Sequence, residues 1–67
     1  MFSKLKNKKM INKKTFVIQD IINHGFWSEP YSDFKGYLFA THYETYDYAE
    51  FVTNEMKKPV TILTVYS

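Results

Sequence analysis

The residues able to do chemistry are few and scattered. His24 and His42 are the only histidines, eighteen positions apart, and cysteine is absent. A metal site would need acids such as Asp20 or Glu44 to complete it, yet the spacing holds no i, i+4 histidine pair and no thiolate set. Nucleophilic catalysis would have to recruit Ser28 or Ser32 with a histidine, inside a domain too thin to enclose a pocket of the usual size. With glycine only at positions 25 and 36, no phosphate-cradling loop is written in the chain. We therefore expect no catalytic residue, no metal and no cofactor, and read the protein as a non-enzyme.

What the sequence offers instead is aromatic surface. The stretch NHGFWSEPYSDFKGY, residues 23–37, carries Phe26, Trp27, Tyr31, Phe34 and Tyr37. Tyrosine and tryptophan recur in binding hot spots because they present large rigid area with a polar handle. These five are the candidate partner-binding residues. Trp27 is expected to cap the core, and Tyr31 and Phe34 to remain partly exposed.

A second candidate is electrostatic. Lys4, Lys6, Lys8, Lys9, Lys13 and Lys14 give the first fourteen residues a charge of +6 without one acid, while three lysines and seven acids leave the remainder at −4. Lysines that track phosphates beside rings that stack bases would make a small nucleic-acid-binding module. The acidic folded part and the lack of arginine rank that reading second.

The elements that must position these residues fit one domain. The chain has 67 residues, 45% hydrophobic and 19% aromatic, so a few large rings must contribute much of the burial and no disulfide can supplement it. Residues 1–14 read as a flexible lysine-rich arm and 15–67 as a single α+β domain. TFVIQDII, from Thr15, is expected as strand one, GYLFAT (36–41) as strand two, and PVTILTVY (59–66) as strand three. A helix capped by Thr45 and stopped by Pro59 should bury a stripe of Tyr48, Ala49, Val52 and Met56. The expected fold is β-β-α-β: a three-stranded antiparallel sheet in order 2-1-3, with the helix on one face.

One helix cannot cover both faces of a sheet whose strands are apolar at both parities. The second face could be covered by the aromatic loop, by another copy of the chain, or by a foreign protein. No run of about 18 apolar residues suggests a membrane span. A soluble protein of the cytoplasm is expected.

Along FVIQDIINHGFWSEPYSDFKGYLFATHYETYDYAEFV the chain resembles a loose group of very small phage-encoded proteins. The shared features are a short opening strand, Trp27 with Ser28, Asp33 with Phe34, Ala40 with Tyr43, and Thr45 capping a helix with Ala49 and Glu50. The likeness spans roughly residues 15 to 52. The lysine leader and the Asp47–Tyr48 pair depart from it. The resemblance implies an accessory or counter-defence protein acting in the cytoplasm of a bacterial host cell. Such a protein would bind and block a host or defence-system protein, and a homodimer is the expected state. No site residue carries over from the group.

Overall fold

The computed structural model describes residues 13–66. Four strands form one antiparallel sheet: β1 (Lys14–Asp20), β2 (Phe26–Ser28), β3 (Asp33–Lys35) and β4 (Val60–Tyr66), in spatial order β3-β2-β1-β4. One α-helix, α1 (Tyr46–Met56), and two 3-10 turns, Glu29–Tyr31 and Tyr37–Phe39, complete the chain. The α+β class and the antiparallel sheet agree with the sequence reading, and β1 has a neighbour on each side. The strand count does not agree.

The difference begins in a turn. β1 stops at Asp20 because its carboxylate accepts the backbone N–H of Ile22 at 2.8 Å and of Asn23 at 3.2 Å, which bends the chain. His24 follows in the left-handed region at φ 66°, and the Asp20 N–H donates to the Gly25 carbonyl at 2.8 Å. That closes a hairpin, so Phe26 already pairs with Gln19. Ile21 and Ile22, read as the end of strand one, lie in this turn and are exposed. A Cβ at Gly25 would stand 3.2 Å from the Cβ of Phe34, close enough that Phe34 would have to give by a few tenths of an ångström.

A second tight turn follows at once. Pro30 fixes φ within the first 3-10 turn, and Ser32 takes a left-handed conformation at φ 50°. β3 then returns along β2, with Trp27 opposite Phe34.

GYLFAT is therefore not a strand. β4 takes the whole of one side of β1, while the other side carries β2 at Gln19 and a bridge between Phe16 and Tyr43. The segment coils as the second 3-10 turn and is then clamped down, the Thr41 N–H donating to the Trp27 carbonyl at 3.0 Å and the Tyr43 N–H to that of Phe16 at 2.8 Å. Strand propensity yielded to these tertiary hydrogen bonds.

Thr45 caps α1 as expected, its hydroxyl accepting the Tyr48 N–H at 3.2 Å. Ala49 is fully buried, and Val52 and Met56 pack on the same cluster, with Ile18 and Tyr43 at its centre. Tyr48, expected in the buried stripe, lies at the stripe's border and is half exposed. The helix ends before Pro59, at Lys57, which is left-handed at φ 56°. A side chain strains such a position, and glycine removes the strain. Lys57→Gly is expected to raise stability by up to about 1 kcal/mol, or several degrees in Tm, measurable by thermal unfolding.

Register assigns the faces. Phe16, Ile18 and Asp20 point to the helix side with Thr64, Ile62 and Val60, their respective partners on β4. Thr15, Val17, Gln19, Phe26 and Leu63 point to the other side. There Tyr37 packs edge-on against Phe26 at 5.2 Å and against His42 at 5.8 Å, and the His42 Nδ1 lies 3.0 Å from the Thr15 hydroxyl. The chain after β3 thus folds over the β1–β2 half of the second face, and Val17 is fully buried. Over β4, Thr61 and Val65 are half-buried and Leu63 is partly exposed.

Candidate partner-binding surface

The five rings expected to act together are divided by the pleat of β2. Trp27 and Phe34 are cross-strand partners, so their rings share the helix side, 5.3 Å apart, with Trp27 packed against the core cluster. Phe26 points to the opposite face and supports Tyr37. Of the five, Tyr31 and Tyr37 are exposed, while Phe34 is only half-buried beneath the Lys58 ammonium, 4.8 Å from its ring centroid.

Two residues that the sequence reading placed in a strand join the exposed pair. The second 3-10 turn projects Leu38 at 91% exposure and sets Phe39 edge-on to Tyr31 at 5.7 Å. Tyr31, Tyr37, Leu38 and Phe39 are thus exposed on the two 3-10 turns, with Tyr31 and Phe39 in contact, and this apolar group is termed the ledge. Its backbone is pinned at several points. The Phe39 N–H donates to the Gly36 carbonyl, the Ala40 N–H to that of Tyr37, and the Glu29 N–H to the Thr41 hydroxyl at 2.8 Å. The Lys35 ammonium lies 5.2 Å from the Tyr31 ring centroid, a cation–π contact that holds this ring from below. A ledge so fixed loses little conformational freedom when another surface meets it.

The helix side carries a second aromatic group. Tyr48 stacks on Phe51 at 6.1 Å and leans on the buried Tyr43 at 5.4 Å, while Tyr46 packs edge-on against Phe16 at 5.8 Å. Asp47, Glu50 and Glu55 stand exposed on the same helix, so this group has an acidic border. Beneath it Trp27 Nε1 and Tyr43 Oη are buried without a completed hydrogen bond, as is Ser28 Oγ elsewhere in β2. Burial, reinforced by the negative charge of Glu29, pushes the Tyr43 phenol up to about 12. Tyr43 therefore stays neutral across the physiological range.

Among the described residues, Asp20 is the other buried ionisable group. The backbone N–H groups of Asn23 and Ile22 hold its carboxyl below the ordinary value; burial opposes them, and Lys58, 3.4 Å away, adds a smaller lowering. A lowered folded value means that ionised Asp20 stabilises the fold above about pH 4 and that this contribution is lost as pH falls through the folded value. Asp20→Asn should accordingly lower the urea midpoint at pH 7 and narrow its gap to the wild type at pH 3. Equal destabilisation at both values would separate Asp20 from the acid limb.

Among the described residues, no group of three or more His, Asp or Glu side chains could hold a metal ion, and no helix is long and apolar enough to cross a membrane. Lys13 and Lys14 are exposed, with Lys14 opening β1 opposite Tyr66. Lys4, Lys6, Lys8 and Lys9 lie outside the described residues. Leu38 and Phe39 are the surface residues that sequence reasoning missed. The signal available was the Asp20–Gly25 turn, which starts β2 early, so that residues 26–28 and not 36–41 form the strand after β1. No family model matches the chain, and neither a curated protein nor a solved structure matches it.

Proposed function

We propose that this chain is a non-enzymatic binding protein, a phage accessory or counter-defence product that occupies the surface of a bacterial host or defence-system protein. The observation that carries this reading is the ledge. A leucine 91% exposed between exposed rings, on backbone tied down by hydrogen bonds, has no role in the chain's own core. Apolar clusters of this kind on a small protein mark places where another surface docks. Tyr31 and Tyr37 supply hydroxyls at the rim, Leu38 and Phe39 the centre. The protein acts in the cytoplasm of the infected cell and works by obstruction, without a cofactor.

The test is capture of a bacterial partner by the full chain at rising salt, followed by the same capture with ledge variants. Contact through the ledge should persist at high salt and fail when Leu38 and Tyr31 are replaced. Binding that falls steeply with salt, survives those substitutions and requires residues 1–13 would instead make the chain a nucleic-acid-binding module working through its lysines.

A further inference from the structure

Among the described residues, β4 is an edge strand with no guard. Val60–Tyr66 contains no charged residue, no proline and no break in its register with β1. Edges of this length are normally blunted by lysine, proline or a bulge, because their unpaired groups recruit another strand. Which groups are unpaired follows from the pairing. The Ile21 N–H donates to the Pro59 carbonyl, so the hydrogen-bonded positions of the β1–β4 ladder on β4 are Thr61, Leu63 and Val65. Val60, Ile62, Thr64 and Tyr66 must then direct their N–H and C=O groups outward, where no described residue meets them.

We infer that this edge pairs with β4 of a second copy, antiparallel about a two-fold axis at Leu63. Such an axis, perpendicular to the sheet, requires each residue to face a partner of equal parity, and only the register centred on Leu63 engages all four outward residues. Val60 then bonds Tyr66 of the second copy, and Ile62 bonds Thr64 of it. With four donors and four acceptors on each strand, about eight backbone bonds close the seam.

Three further features fit this register. The strand holds no charge to repel its own copy. Leu63, 37% exposed on the second face, meets itself across the axis at a closely spaced, non-hydrogen-bonded pair. Finally, α1 packs over β1 and β4, so the two helices of the pair would run side by side about 10 Å apart, which is the spacing of packed helices. Coverage of apolar surface and satisfaction of the edge come from one operation. The seam lies at the sheet edge opposite β3 and does not involve the ledge, so partner binding and pairing can fail separately.

Cysteine is absent from the chain, which makes the register directly readable. The full chain should show the mass of two copies by light scattering or sedimentation. Under mild oxidation Leu63→Cys should form a covalent dimer at least tenfold faster than Thr61→Cys. In the proposed register two copies of residue 63 lie opposite each other, whereas two copies of residue 61 stand about 13 Å apart, beyond the reach of a disulfide. Thr61→Cys also serves as the folding control, since it sits on the same face of the same strand. A single-copy mass, with the edge left for a foreign strand, overturns the inference. So does a dimer in which the two variants cross-link equally or Thr61→Cys leads.

Discussion

Ile18→Ala is expected to cost about 2–5 kcal/mol, by the usual range for emptying a buried branched side chain. For a chain of 67 residues the whole folding free energy is on the order of 3–10 kcal/mol. One truncation can therefore consume most of it. Ile18 has no exposed surface and sits where Tyr43 from the bridging segment, Ala49 from α1 and Ile62 from β4 converge. These neighbours come from separate elements held in place by the turns around them. They cannot collapse into the gap without breaking the β1–β4 ladder or the Phe16–Tyr43 bridge, so the cavity should persist. Urea unfolding followed by far-UV circular dichroism would show the midpoint moving to low denaturant, with an appreciable unfolded fraction in buffer alone. Leu38→Ala, a truncation of the same class at an exposed site, should shift the midpoint by no more than about 0.5 kcal/mol. Similar losses at both positions would mean that the core is not where Ile18, Tyr43 and Ala49 place it.

The contrast between those two residues also marks what could be read from the sequence. β1, α1 and β4 were legible because each is seven or more residues long and carries a period or a cap: Thr45 before the helix, alternation through VTILTVY. β2 and β3 were not, because three residues are too few to show alternation. Their existence depends on Asp20 bending the chain two residues before the apolar run ends, and on Pro30 and Ser32 bending it again. The same shortfall blurred the candidate surface. That the aromatic stretch supplies exposed rings was legible from the number of rings alone. Which ones face outward depends on the parity of β2, and shifting its start by one residue would exchange Phe26 and Trp27 between faces. GYLFAT is the sharpest case, a segment with the composition of a strand that tertiary hydrogen bonds hold as a 3-10 turn.

The ledge gives the largest expected effect on binding. Removing Leu38 and Tyr31 together, as Leu38→Asp with Tyr31→Ala, should weaken partner binding by at least about 30-fold, since hot-spot losses begin near 2 kcal/mol. The aspartate would place a charge at the desolvated centre of the contact, and the alanine removes the ring against which Phe39 packs. The fold should be indifferent, because neither residue belongs to the core cluster. Trp27→Ala is the necessary counterpart: it is expected to destabilise the chain and weaken binding only in proportion to the unfolded fraction, because Trp27 packs inward. Titration of the captured partner against the three proteins, with Tm measured in parallel, separates the roles. If Trp27→Ala at a temperature where it is fully folded lost as much affinity as the ledge variant, the contact would have to include the helix side, with Tyr48 and Phe51 at its border. If the ledge variant bound as tightly as the wild type, an exposed leucine between exposed rings would have no bearing on recognition, and removal of residues 1–13 would become the decisive experiment.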